Sequence, residues 1–302
     1  MKAFGVAILL VLSLTLPGQH IIVLGTAQDG GFPHIGCQNE CLRAHSNPNL
    51  SRYVTSLALV DPESKQWWMF EASPDLDKQF QYFRNLTDGQ YPYLPSGIFV
   101  THAHIGHYTG LMFLGKEALG ASGVKVYALP KMIEFLKNDG PWSQLVNFEN
   151  IDPVSMVEDQ SLELGASIEV TAFTVPHRDE YSETAGFKII TPRKGYIFIP
   201  DIDKWHKWDR DIVEVVKDPK VDYAFIDATF FKDGELPNRP MSEMPHPFVQ
   251  ETMLLFDKQP DSIKSKIKFI HLNHTNPLLF DKRARNEVNR NGYGVAEQGK
   301  KY

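Results

Sequence analysis

The sequence has little cysteine, no long apolar run and no excess of positive charge. Only two cysteines, Cys37 and Cys41, occur in 302 residues, which excludes a small scaffold held by many disulfides. The longest uncharged apolar run, 3–16, is too short to cross a bilayer comfortably, so we expect no stable membrane span. The 31 Lys and Arg against 37 Asp and Glu give a net charge of −6, and nothing indicates a surface for nucleic acid.

The remaining composition is that of an ordinary globular protein, with 42% hydrophobic and 23% charged residues. Apolar runs predict strands and helical spacing predicts helices. The strands are predicted at 20–25, 54–60, 66–71, 97–101, 124–128, 168–175, 185–191, 196–200, 223–227 and 267–272, and the helices at 75–86 and 205–216. Without repeats or linkers, this pattern favours one α/β or α+β domain over residues 19–302, with a large central sheet.

Residues 1–18 have the pattern of a secretory signal peptide. Lys2 is the only charged residue before position 20, an apolar stretch follows it, and Pro17-Gly18 ends that stretch. We therefore expect the mature chain to begin near Gln19 or His20 and to be exported, to the periplasm or the medium. A buried first strand or helix is the alternative interpretation of the same run.

Three histidines within six positions form the most informative segment. His102, His104 and His107 directly follow the strand predicted at 97–101, although the whole chain has only 11 histidines. Neutral imidazoles that converge from a strand end are good ligands for zinc, iron or manganese. Further candidate ligands that also follow predicted strands are His177, Asp201 and His274. Together they predict one metal site at one edge of a sheet.

This order of ligands (HxHxxH, a lone His, an Asp and a final His) resembles the metallo-β-lactamase superfamily. The segments VLGTAQDGGFP, FEASPD, IHLNHTNPLL and GYGVAEQGKKY look like the branch that holds coenzyme PQQ synthesis protein B. The resemblance implies a four-layer αββα sandwich with its metals at one edge of the two sheets. It also implies a first metal site of His102, His104 and His177, a second with His107 and His274, and Asp201 as the bridge between them.

The chain departs from the usual HxHxDH motif of that superfamily, because Gly106 stands where the Asp is expected. Glycine neither binds a metal nor carries a proton, so we expect the second site to be weak or empty. An Asp introduced at Gly106 is expected to strengthen it. Glu71 stands where the superfamily usually has Asp after a strand, and we expect it to support the histidine loop.

The predicted activity is metal-dependent hydrolysis of a small-molecule ester or phosphodiester, with one or two zinc ions and iron or manganese as alternatives. A metal held by three histidines with an open position makes hydroxide available at neutral pH, and Asp201 would orient that hydroxide. Asp29 and His246 are candidates for the general acid, although Asp29 also fits a turn and His246 a structural histidine. An iron-dependent oxygenase and a non-catalytic metal- or ligand-binding relic remain alternatives.

The two cysteines lie between two histidines, in the spacing H-x2-C-x3-C-x3-H. His34, Cys37, Cys41 and His45 could hold a structural zinc ion. A disulfide between the cysteines is an equal alternative in an exported protein, and free thiols are a third.

Overall fold

The structure describes residues 18–165, 167–236 and 239–302 and is a computed structural model. The predicted signal peptide, 1–18, lies outside these residues except for Gly18. Among the described residues, no helix combines the length and the apolar character that a membrane crossing requires.

The first sheet has six strands, and their order in the sheet is their order in the chain. They are β1 (His20–Gly25), β2 (Ser56–Asp61), β3 (Gln66–Phe70), β4 (Ile98–Phe99), β5 (Val124–Ala128) and β6 (Ile151–Ser155). The pairs β1–β2 and β2–β3 are antiparallel, and the pairs from β3 to β6 are parallel. Strands β1, β3 and β4 therefore run in the same direction.

The second sheet has seven strands in the order β13-β12-β11-β10-β9-β8-β7. They are β7 (Ser161–Leu164), β8 (Ile168–Val175), β9 (Thr184–Ile190), β10 (Gly195–Ile199), β11 (Tyr223–Asp227), β12 (Ile267–Ile270) and β13 (Gly294–Val295). The pairs from β7 to β10 are antiparallel, and those from β10 to β13 are parallel. Strands β8, β10, β11 and β12 therefore share one direction.

Helices cover the outer faces of both sheets. The α-helices are α1 (Leu42–Ser46), α2 (Leu76–Leu86), α3 (Ile105–Tyr108), α4 (Pro130–Asn138), α5 (Trp142–Asn147), α6 (Ile212–Lys217), α7 (Val249–Leu255), α8 (Asp261–Lys264) and α9 (Lys282–Arg290). Helices α2, α4 and α5 pack on the first sheet, while α6, α7 and α9 pack on the second. The result is the predicted four-layer αββα sandwich.

Alternation along the strands divides the core into three layers. In β1, Ile21 and Val23 face the second sheet, while Ile22 and Leu24 face the helices. In β10, Phe198 lies between the sheets, where its ring packs edge-on to that of Phe70 at 6.2 Å. Because both faces of these strands are buried, they appear in the sequence as continuous apolar runs.

The bounds of β1, β5, β8 and β11 agree with the prediction at both ends. The strand predicted at 97–101 is shorter, since only Ile98–Phe99 pairs. The helix predicted at 205–216 is wrong as one element: a 3-10 turn at Trp205–Lys207 is followed by a separate helix, α6. Asp211 accepts a hydrogen bond from Val213 N at 2.8 Å, and this cap starts α6 anew.

Replacing Phe198 by Ala should lower the free energy of unfolding by about 3–5 kcal/mol, because it leaves a cavity between the sheets. Phe148→Ala is the matched control, since its ring is 53% exposed, and it should cost less than about 1 kcal/mol. Urea denaturation of both variants measures the difference. Equal losses would contradict the layer assignment.

Candidate metal centre

Polar side chains follow the carboxyl ends of strands in both sheets. In the first sheet they are Asp29 after β1, Glu71 directly after β3, and His102, His104 and His107 after β4. In the second sheet they are His177 after β8, Asp201 after β10 and His271 directly after β12. Since these strands run in one direction within each sheet, all these residues meet at one edge of the sandwich.

The first group of side chains that could hold a metal ion consists of His102, His104, His177 and Asp201, and it is called the first ligand set. His104 Nδ1 lies 2.9 Å from His102 Nε2 and 3.2 Å from His177 Nε2. Asp201 Oδ2 lies 3.2 Å from His177 Nε2 and 3.5 Å from His102 Nε2. Three imidazole nitrogens and one carboxylate oxygen that converge in this way match the donors preferred by zinc, and they also suit iron and manganese.

A chain of hydrogen bonds orients the two buried histidines of the histidine loop. The His102 Nδ1–H donates to Thr101 Oγ1 at 2.8 Å, and the Thr101 hydroxyl donates to Glu71 Oε1 at 2.6 Å. The same carboxylate oxygen accepts from His107 Nδ1 at 3.0 Å. Glu71 therefore supports the histidine loop as predicted, and the Nε2 atoms of His102 and His107 are left facing the centre.

The other two histidines of the first set are also held by carboxylates. His104 Nε2 lies 2.7 Å from Glu180 Oε2, and His177 Nδ1 lies 3.3 Å from Asp203 Oδ1. A carboxylate on the outer nitrogen fixes the tautomer and makes the inner nitrogen a better ligand. Neither Glu180 nor Asp203 was predicted from the sequence, because their role depends only on which residues the fold brings beside a histidine.

A second ligand set consists of Asp29, His107 and His271. Asp29 Oδ1 lies 3.5 Å from His107 Nε2 and 3.7 Å from His271 Nε2. These three atoms are buried and have no hydrogen-bond partner within the described part of the chain. Asp201 Oδ2 lies 3.6 Å from His107 Nε2, so this carboxylate adjoins both sets and stands in the bridging position that the resemblance implies.

His271 is fixed by a second chain of hydrogen bonds, from the other sheet. Its Nδ1–H donates to Thr229 Oγ1 at 2.9 Å, and the Thr229 hydroxyl donates to Asp227 Oδ1 at 2.7 Å. His271 and Glu71 both adopt left-handed backbone conformations, with φ of 64° and 73°, although both are completely buried. Non-glycine residues rarely do so, and the surroundings of both residues must hold them in place.

The structure corrects the prediction for His274, which does not join either ligand set. Its ring stacks on that of His34 with centroids 4.4 Å apart. The predicted strand 267–272 ends two residues early, at Ile270, and His271 then turns into the centre. The position of His271 directly after the last paired residue was the signal that it, and not His274, faces the centre.

His246 forms a third group of converging ligand atoms, with the carboxylates of Asp201 and Asp227. Its Nδ1 lies 2.9 Å from Asp227 Oδ2 and 3.1 Å from Asp201 Oδ1. Burial opposes protonation, but the charges of Asp227 and Asp201 outweigh it and raise the pKa of His246 to about 10. His246 Nδ1 donates to Asp227 Oδ2, and the imidazole also places its charge beside Asp201 Oδ1.

The local charges suit a bound cation. Burial disfavours the charged forms of Asp201 and Asp29, but the facing histidines outweigh it and hold the pKa of each carboxyl well below its usual range. Burial lowers the pKa of His102, which favours the neutral form that binds metals. For His107, burial is outweighed by Glu71, Asp201 and Asp29, which raise its pKa well above the usual value. The carboxylates that attract a proton to His107 would equally attract a metal ion.

Of the alternatives predicted for the two cysteines, the structure has the disulfide. Cys37 and Cys41 are joined, with their sulfurs 2.12 Å apart. The rings of the flanking histidines face backbone oxygens: His34 Nδ1 lies 2.8 Å from the Ile35 carbonyl, and His45 Nε2 lies 3.3 Å from that of Cys37. The four residues form no ligand set in the described chain, so the structure does not support the zinc alternative.

Comparisons with known proteins agree with this arrangement. The chain matches the sequence model of the family described as "Beta-lactamase superfamily domain" over residues 66–298. It belongs to the metallo-β-lactamase superfamily. Coenzyme PQQ synthesis protein B of Gluconobacter oxydans is 27% identical, over 92% of this chain and 96% of that protein. The predicted superfamily and its branch are therefore confirmed.

Solved structures share the fold. The zinc-bound PqqB from Methylobacterium extorquens matches with a TM-score of 0.76 and 20% identity, over 94% of this chain and 99% of that one. A diphosphatase from the PhnP family matches with a TM-score of 0.63 and 21% identity, over 95% and 98% of the two chains. These likenesses confirm the sandwich of the metallo-β-lactamase superfamily as the fold of this protein.

Replacing Thr101 by Val should weaken zinc binding about 10- to 100-fold, because the isosteric change breaks the hydrogen bonds that orient His102. Competition with a chromophoric chelator measures the affinity. Thr171→Val, in β8, is the control, since the only hydrogen bond of Thr171 Oγ1 among the described residues is with Ser161 Oγ. Unchanged affinity in Thr101→Val would show that this contact does not position the ligand.

Proposed function

We propose that this protein is a metal-dependent hydrolase of a small phosphodiester or ester. The observation that carries the proposal is the convergence of His102, His104 and His177 with Asp201, each histidine having its outer nitrogen bonded to oxygen. When bound, a zinc ion there would lower the pKa of a coordinated water to about 7 and so supply hydroxide at neutral pH.

The protein's own residues supply orientation and charge. Asp201 Oδ1 lies 3.1 Å from His246 Nδ1, and Asp201 Oδ2 faces histidines of both ligand sets, so charged or polar groups surround both oxygens of this carboxylate. Such fixed groups need no reorganisation during a reaction, which is the main way that proteins stabilise developing charge. Asp29 and His246 are the two candidates for the general acid. Asp29 faces His107 and His271, and His246 faces Asp201 and Asp227. A proton-donor role for either residue stays a prediction.

Arg178 favours an anionic substrate. Its Nη2 lies 3.5 Å from His104 Nε2, and its side chain is 60% exposed at the rim of the first ligand set. Its Nη1 is 3.6 Å from Glu180 Oε1, which is too long for a hydrogen bond, and an ion pair between two exposed side chains is weak. A guanidinium that remains accessible beside a metal site can bind phosphate oxygens in pairs, so we place phosphodiesters before neutral esters.

Purified without chelator, the protein should contain at least one zinc ion per chain and hydrolyse bis(p-nitrophenyl) phosphate or p-nitrophenyl acetate. His102→Ala with His104→Ala should remove this zinc and reduce hydrolysis to the buffer background, because two of three imidazole ligands are lost. Elemental analysis and the release of p-nitrophenol measure both effects.

The control is His206→Ala, which removes an exposed imidazole outside the ligand sets. Full zinc occupancy in the double variant would contradict the ligand assignment. Iron in place of zinc, with oxygen consumption and without hydrolysis, would favour the oxygenase alternative, since the same donors suit iron.

Export from the cytoplasm is part of the proposal. The pattern of residues 1–18 supports it, and so does the disulfide between Cys37 and Cys41, because disulfides persist mainly in oxidising compartments. When the full-length chain is expressed in a host with an export pathway, intact-mass measurement of the purified protein should place its N-terminus near Gln19 or His20. Recovery of the protein in the cytoplasmic fraction, with residues 2–18 still attached, would contradict export.

A further inference from the structure

We propose that Asp29 supplies the carboxylate that the histidine motif lacks, and that position 106 is glycine because this carboxylate occupies the space of its side chain. The second metal site would then consist of Asp29, His107 and His271, with Asp201 shared with the first. The inference rests on the metal centre of the proposed function and adds a second ion with its ligands.

The contact between Asp29 and Gly106 is too close for any side chain at 106. A Cβ atom built there with ideal geometry would overlap Asp29 Oδ1, and would lie 2.7 Å from its Cγ and 2.8 Å from its Cα. The first two contacts are with the carboxylate, and the third is with the backbone of the loop after β1. The glycine in α3 therefore lets that loop approach the histidines closely.

The carboxylate of Asp29 is directed at the centre and not at its own turn. In an Asp-based turn the side chain accepts from a backbone N–H two residues on. Here Gly31 N donates instead to the carbonyl of Gln28 at 2.8 Å. Asp29 Oδ1 faces His107 Nε2 and His271 Nε2, at 3.5 Å and 3.7 Å.

These atoms need a common partner. Asp29 Oδ1, His107 Nε2 and His271 Nε2 are buried and lack hydrogen-bond partners among the residues described, and a buried polar atom without a partner is costly. The outer nitrogens of both histidines already bind oxygen, at Glu71 and Thr229. One divalent cation between the three inner atoms would satisfy all of them, and two imidazoles with carboxylates are a donor set for zinc or manganese.

The arrangement also reverses the expectation that an Asp introduced at Gly106 strengthens the second site. The volume for such a side chain is already filled by Asp29. Any side chain at 106 would displace the existing carboxylate and the loop that carries it.

The test is zinc stoichiometry of metal-free protein, measured by equilibrium dialysis against Zn²⁺ and elemental analysis, with Co²⁺ absorption spectra as a second readout. The unmodified chain should bind two ions. Asp29→Asn keeps the shape but removes the charge, and should weaken the second ion more than about tenfold, while the first is bound as before. Asp88→Asn, an exposed carboxylate away from the centre, is the control and should bind two ions.

Gly106→Ala should lose the second ion as well, because its methyl group would overlap the carboxylate of Asp29. If this variant does not fold, the result for Asp29→Asn alone tests the inference. Two ions bound with unchanged affinity in Asp29→Asn would overturn the inference. One ion in the unmodified chain, lost on replacing His102 and His104, would overturn it and leave the proposed function standing. No ion in the unmodified chain would overturn both.

Discussion

The site depends on one constraint: buried nitrogen and oxygen atoms from both sheets face a single region at the edge of the sandwich. Asp201 Oδ2 lies within 3.6 Å of His102, His107 and His177, so its position joins the two ligand sets. Burial makes each of these groups expensive unless it is paired. The surrounding hydrogen bonds pair the outer atoms of these groups, and the proposed cations would pair the inner ones.

Each sheet contributes an equivalent support. In the first sheet, His102 donates to the hydroxyl of Thr101, which donates to Glu71. In the second sheet, His271 donates to the hydroxyl of Thr229, which donates to Asp227. The hydroxyl works as a spacer because it accepts from an imidazole and donates to a carboxylate at once. Both threonines lie two residues after a parallel strand, so the supports arise where the strands of each sheet end.

The sequence predicts most of the fold and about half of the site, and the division has a physical reason. Buried strands such as β1, β5, β8 and β11 are continuous apolar runs, which are visible locally. Elements such as α4, α5, β6 and β7 were not predicted, since the helices depend on the sheet that they cover and each strand on pairing with its neighbour. The spacing of His102, His104 and His107 identifies the histidine loop, which supplies two residues of the first ligand set and one of the second. His271 and Asp29 depend instead on one left-handed residue and on the packing of a loop against α3, which spacing does not reveal.

The relation between Asp29 and Gly106 shows how a motif can change without loss of its chemistry. A metal responds to donor atoms and their positions, not to the segment of chain that carries them. Moving a carboxylate from α3 to the loop after β1 keeps the donor type, provided that the old position gives up its side chain. The two positions are then coupled through space, since a Cβ at 106 and a carboxylate at 29 exclude each other. A missing motif residue is therefore weak grounds for inferring a lost site until the space that it vacates has been examined for another donor.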